Sequence, residues 1–167
     1  MSKTLILVRH AKAEDLDAST SYKDDFKREL THKGKEDARE MGQRLCSMKI
    51  KPGIIISSPA VRALQTAEII AQEIQMNKDD IIKSKNIYDS TAQSLLEVIG
   101  ETEDVFNSLM LVGHNPSLTE LLIILCKTNI ENIPKGGIAG IRLPVLSWNN
   151  ITTQCGTLLF FDSPKNK

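Results

Sequence analysis

The sequence has no net charge. Lys plus Arg total 21 and Asp plus Glu total 21, so no global field recruits nucleic acid or an anionic membrane surface, and any preference for an anion must be local. Long apolar runs are also missing. The longest, Leu121 to Cys126, falls far short of the ~20 residues that cross a bilayer. The amino terminus offers only Leu5 to Val8 before Arg9 and His10, too short a run for the core of a secretory signal, which predicts a cytoplasmic protein. Cysteine is scarce: Cys46, Cys126 and Cys155 are odd in number and widely separated. They lack the close pairs of a zinc site or redox motif and read as reduced, mostly buried thiols.

Several catalytic signatures are absent as well. Gly136-Gly137-Ile138-Ala139-Gly140 has neither the Gly-x-Gly-x-x-Gly order nor the Lys-Ser/Thr ending of a phosphate-binding loop, and reads as a strand-entry turn. Without a Gly-x-Ser-x-Gly elbow, Ser57 and Ser58 are poor candidates for a hydrolase nucleophile. There is no obvious carboxylate cluster to hold a metal, and no internal repeat or linker. What remains is 167 residues, 41% hydrophobic and 25% charged, which predicts one globular domain over residues 1–167.

Thr4 to Val8 is a continuous apolar stretch, as expected of a strand buried on both faces of a parallel sheet, and Arg9 and His10 fall at its carboxyl end. Thr31 is the predicted N-cap of a helix with Ala38, Met41, Gly42 and Leu45 on one face. A second strand is predicted over Gly53 to Ile56. Ser57-Ser58-Pro59 then reads as a cap with proline in the first turn of a helix lined by Ala63, Ala67, Ile70, Ala71 and Ile74. An extended piece near Lys83 to Ile87 leads to Ser90-Thr91-Ala92-Gln93, a capping-box pattern opening a helix with Leu95, Leu96 and Ile99. Leu109 to Val112 is another buried strand, ending in Gly113-His114 and followed by Asn115-Pro116, again a cap and a first-turn proline. Leu118, Leu121, Leu122 and Leu125 form that helix's buried stripe. The tail holds β-like stretches at Ile138 to Leu143 and Thr157 to Phe161, with Asn149-Asn150 as a turn. This alternation predicts an α/β fold, a three-layer α/β/α sandwich with a mostly parallel central sheet.

In such sheets ligands bind beyond the carboxyl ends of the strands, where helix N-termini also point. Of three histidines, His10 and His114 both fall at that edge. A lone loop histidine is more often structural than catalytic; two at one edge, with Arg9 and Arg62 nearby, point to chemistry on an anion. Arginine offers a planar fork of donors suited to phosphate oxygens and stays charged at every relevant pH.

Leu7-Val8-Arg9-His10 resembles the signature of the histidine phosphatase superfamily, also called phosphoglycerate-mutase-like. Residues 25–34 (Asp25 to Gly34), 57–67 (Ser57 to Ala67) and 111–116 (Leu111 to Pro116) resemble its small bacterial branch, the SixA-type phosphohistidine phosphatases. The resemblance implies a phosphatase in which His10 is the phosphorylated nucleophile and Arg9, Arg62 and His114 form the phosphate pocket, with no cofactor and no metal. Arginine charge near His10 should oppose its protonation and leave a lone pair free to attack phosphorus. The implied substrate is a phosphorylated protein carrying phosphohistidine, or a small phosphorylated molecule.

The sequence departs from the pattern at two places. Ala11 stands where the signature has glycine, and no clear equivalent exists of the glutamate that protonates an alcohol leaving group in many members. Asp89 is the nearest candidate, but an aspartate before a helix is more often a cap or turn residue. The roles of Lys12 and Arg28 stay open. Three other readings remain: a small-molecule phosphomonoesterase or mutase of the same superfamily, a non-catalytic phosphate-binding module, and a zinc hydrolase using His10, His32 and His114. The mutase reading sits poorly with a chain that has little room for a lid. His32 is expected on the surface in the first helix's opening turn.

Overall fold

The computed structural model describes residues 1–16 and 22–166. Six strands, β1 (Lys3–Arg9), β2 (Ile54–Ser57), β3 (Ile82–Lys83), β4 (Ser108–Gly113), β5 (Ile138–Leu143) and β6 (Thr157–Asp162), form one sheet in the order β3-β2-β4-β1-β5-β6. The pairings of β1 with β4, β2 with β4 and β2 with β3 are parallel, whereas β5 runs antiparallel to both β1 and β6. The expected mostly parallel sheet is therefore present, with an antiparallel edge.

Among the described residues, five α-helices, α1 (Tyr22–Phe26), α2 (His32–Ser47), α3 (Val61–Glu73), α4 (Ala92–Gly100) and α5 (Ser117–Leu125), accompany the sheet. Alternate side chains of a strand point to opposite faces. In β1, Leu5 and Leu7 join the core beneath α4 and α5, while Ile6 and Val8 join the core beneath α2 and α3. Burial on both faces is why β1 and β4 read as unbroken apolar runs. On β6, by contrast, Leu159 stays half-exposed.

Local chemistry explains where the helices start. Thr31 caps α2 as expected, its hydroxyl accepting from Gly34 N at 2.9 Å. The buried face of α2 carries Ala38, Met41, Gly42 and Leu45. A Cβ at Gly42 would lie 2.7 Å from Glu73 Cβ, so glycine there lets α2 approach α3 closely.

Other boundaries differ by a residue or two. The capping box of α4 pairs Thr91 with Ser94 rather than Ser90 with Gln93. Pro59 and Pro116 both stand ahead of their helices, which begin at Val61 and Ser117. Only Ile82 and Lys83 are strand in the piece expected to be extended as far as Ile87. Residues Lys85–Ile87 turn inward as a 3-10 helix that buries Ile87 in the core. Asn149 and Asn150 lie in a similar turn, Trp148–Asn150. Of the cysteines, Cys126 is buried, Cys155 half-buried and Cys46 exposed, so the expectation of mostly buried thiols fails at Cys46, which lies outside the buried stripe of α2.

Candidate active site

Arg9 is the last residue of β1 and His10 follows it. Backbone bonds hold this junction from three sides: His10 N donates to Gly113 O at 3.1 Å, Arg9 N to Gly137 O at 3.0 Å, and Gly136 N to both Arg9 O and His10 O. As expected, residues 136–137 form the turn entering β5. Behind His10, Ala11 N donates to Thr66 Oγ1 at 3.0 Å, and the Thr66 hydroxyl donates to Arg62 O at 2.7 Å. One hydroxyl thus ties the His10 loop to the turn of α3 that carries Arg62. The Ala11 methyl causes no crowding, since it packs in a small core with Leu30 and Ala38. A Cβ at Gly34 would stand 2.1 Å from Lys12 O, so glycine lets the loop lie against α2.

His10 Nδ1 is 2.7 Å from Ala11 O. A carbonyl only accepts, so Nδ1 carries the hydrogen and Nε2 keeps its lone pair. The ring is buried, and its pKa is pushed down from 6.5 to about 4. Burial is the largest cause; the charges of Arg62, Arg9 and Arg28 add to it, and the Ala11 bond opposes it. The sequence-based expectation had the direction and only the smaller cause.

His114 follows β4, its ring centroid 5.2 Å from that of His10. Its Nε2 lies 2.8 Å from Ser58 Oγ. Ser58 Oγ also accepts from Ala60 N, so one hydroxyl ties His114 to the start of α3. The His114 pKa is pushed down to about 3, by burial first and then by His10 and Arg62, with Asp25 opposing.

Arg9 Nη1 donates to Ile133 O at 3.0 Å. Arg62 donates through Nη1 to Asp25 O at 2.8 Å and lies 3.3 Å from Asp25 Oδ2 through Nη2. Among the described residues, the buried side-chain polar atoms without a partner are Arg9 Nε, Arg62 Nε and His114 Nδ1. Leaving a buried donor unpaired costs about 1–3 kcal/mol. Buried polar groups without a partner are few in a folded protein, and these three belong to the residues that the sequence led us to expect around phosphate.

Three residues not singled out in the sequence complete the surroundings. Asp25 accepts from Arg28 Nε at 3.0 Å and from the Tyr88 hydroxyl. Burial pushes its carboxyl up, but the Tyr88 bond and the charges of Arg62 and Arg28 outweigh that and hold it below the usual carboxylate range. The Tyr88 ring lies 5.9 Å from the Arg62 guanidinium carbon and edge-on to His114 at 5.5 Å. Ser58 orients His114. Asp25 and Arg28 fall inside a stretch that carried the resemblance, and their i, i+3 spacing was the available signal for the pair. Arg28 thus supports Asp25, while Lys12 is exposed.

Asp89 is also exposed, at φ +54°, the left-handed conformation of a turn. It lines an open cleft of about 360 Å³ with Asp25, Arg62, Tyr88, His114 and Asn115. The zinc reading loses its third ligand, because the His32 side chain is 89% exposed and pairs with Glu36 at 3.0 Å. Among the described residues no group of three His, Cys, Asp or Glu is placed to hold a metal ion, and no helix is long and apolar enough to cross a membrane.

The family model described as histidine phosphatase superfamily (branch 1) matches residues 5–107. The mitochondrial serine/threonine-protein phosphatase Pgam5 of Drosophila persimilis is 39% identical over 80 residues, 48% of this chain and 26% of that protein. The Drosophila pseudoobscura pseudoobscura protein of the same name is 40% identical over 77 residues, 46% of this chain and 25% of that one. The chain therefore spans about a quarter of the length of these curated relatives. Among solved structures, SixA of Agrobacterium tumefaciens, a proposed phosphohistidine phosphatase, has a TM-score of 0.80 at 24% identity, covering 98% of this chain and 99% of that one. The protein histidine phosphatase SixA complexed with tungstate has a TM-score of 0.80 at 22% identity, with 98% of each chain covered. At these identities the two structures share the fold.

Proposed function

The chain belongs to the histidine phosphatase superfamily, and from that premise we propose that it is a metal-independent phosphohistidine phosphatase. His10 Nε2 attacks phosphorus, a P–Nε2 bond forms, and the P–N bond of the substrate breaks. Water then cleaves the phosphohistidine intermediate to give inorganic phosphate and restore His10. Arg9, Arg62 and His114 take the equatorial oxygens, where positioned charge does most of the work of phosphoryl transfer.

The observation that carries the reading is the set of unpaired buried side-chain nitrogens on Arg9, Arg62 and His114, grouped with an imidazole that stays neutral down to about pH 4. Phosphohistidine suits the site because its imidazole leaving group, of pKa roughly 6.5, needs far less protonation than an alkoxide, and among the described residues no glutamate lines the cleft. An open cleft also suits a side chain on a protein surface. The reading includes a single domain acting in the cytoplasm.

The test is to incubate the protein with a radiolabelled phosphohistidine protein, with and without chelator. Expected are release of phosphate in both cases and a trapped phosphoenzyme that is acid-labile and alkali-stable, absent in His10→Ala. An acid-stable phosphoenzyme would sink the mechanism. Loss of activity with chelator and recovery with zinc would sink metal independence. Faster turnover of sugar phosphates than of phosphohistidine would give the site to small molecules.

A further inference from the structure

Asn115 follows His114, and its first visible duty is at the start of α5. Its Oδ1 accepts from Thr119 N at 3.2 Å and from the Thr119 hydroxyl at 2.8 Å. A cap needs no more than that, and serine or aspartate would serve equally. What capping leaves unexplained is the other end of the amide. Nδ2 donates to Ile133 O at 2.9 Å and to Asn132 Oδ1 at 2.8 Å. The orientation is fixed by chemistry: one end faces the Thr119 N–H, which can only donate, and the other faces the Ile133 carbonyl, which can only accept. Aspartate offers no donor, and serine has a single hydroxyl where the amide has separate donor and acceptor ends.

The Ile133 peptide is held from both sides. Its N–H donates to Thr119 Oγ1 at 3.1 Å, and its carbonyl takes the Asn115 amide. That same carbonyl accepts from Arg9 Nη1 at 3.0 Å, and among the described residues this is the hydrogen bond that fixes the guanidinium. A closed ring of Asn115, Thr119 and the buried Ile133 peptide therefore ends on Arg9, whose Nε is left unpaired.

We propose that Asn115 and Thr119 are positioning residues that act through the Ile133 carbonyl to aim the Arg9 guanidinium at the phosphoryl group. The inference rests on the phosphatase reading, because it requires Arg9 to bear phosphate. Arg62 is held separately, through Asp25, so the ring governs one arginine of the pocket and not the other.

The experiment is a mutant cycle on the full chain, with p-nitrophenyl phosphate turnover and inorganic phosphate binding as readouts. Thr119→Val removes the hydroxyl at similar volume; Thr119→Ser keeps it; Asn115→Ala opens the ring from its other end. Loss of one preorganised donor costs about 10²–10³ in rate. Loosening Arg9 without removing it should therefore lower kcat by about tenfold to a hundredfold in Thr119→Val and Asn115→Ala, and leave Thr119→Ser near the parent.

In an Arg9→Ala background the same substitutions should change the rate less than about twofold, since residues acting as a unit are not additive. Should Thr119→Val fail to fold, Asn115→Ala carries the cycle. Parental rates in both variants, or full multiplication of their effects with that of Arg9→Ala, would overturn the proposal and leave the phosphatase reading intact. A parent protein that neither binds phosphate nor turns over the aryl ester would overturn both.

Discussion

Consider what happens to the folded chain as it is taken from neutral to mildly acid solution. In an unfolded chain His10 would protonate near its ordinary pKa of 6.5, whereas burial holds it at about 4 in the fold. A depressed folded-state value means that the unfolded chain takes up the proton first. The stability that neutrality of His10 supports is thus complete above about pH 6.5 and drains away as pH falls towards about 4. At about 1.36 kcal/mol per pKa unit, the drop from 6.5 to about 4 corresponds to about 3 kcal/mol in full, of which about 2 kcal/mol is lost by about pH 5. His114, held at about 3, adds a loss of the same sign; the two do not simply sum, because His10 charge is one cause of the His114 value. Urea unfolding of the parent and of His10→Ala at several pH values reads the effect of His10 together with the part of the His114 shift that His10 causes. The parent should lose more stability than the variant on acidification, the gap between them shifting by about 2 kcal/mol between about pH 7 and 5. Parallel curves would refute the reasoning and require a His10 protonated as readily in the fold as outside it.

Arg62→Ala and His114→Ala should each lower kcat for p-nitrophenyl phosphate by about 10²–10³, and near-parental rates in both would move the pocket elsewhere. Asp89→Asn should slow phosphohistidine hydrolysis only a few-fold, measured as phosphate release. Were Asp89 the general acid, alkyl phosphate turnover would fall by about 10²–10⁴ in that variant. Efficient hydrolysis of sugar phosphates by the parent, lost in Asp89→Asn, would establish that role.

The central strands were legible because burial on both faces leaves an unmistakable mark: Leu5 to Val8 and Leu109 to Val112 have no polar side to show. The edge that brings His10 and His114 together follows from those strands ending where they do. Helix starts were less legible, because polar residues before a helix can have other partners. Ser58 is shared between Ala60 N and His114, and Asn115 between Thr119 and Ile133. Asp25 and Tyr88 lie 63 residues apart with no periodicity linking them, so only the folded chain brings that pair to Arg62. The neutral state of His10 was expected from the arginines, yet its larger cause, burial, depends on a loop packing that no local pattern encodes.

The place of β1 at the middle of the sheet has a consequence for how the chain assembles. It is the first of the six strands, but its neighbours are β4 and β5, so its apolar stretch Leu5 to Val8 stays unpaired until much later residues arrive. Non-local pairing of this kind slows folding and exposes intermediates to aggregation. The pocket waits on late residues too, since Arg9 receives its carbonyl from a residue 124 positions away. Phosphate binding should therefore appear only with the last steps of folding, which makes it a reporter of the finished fold and not of any partly assembled form.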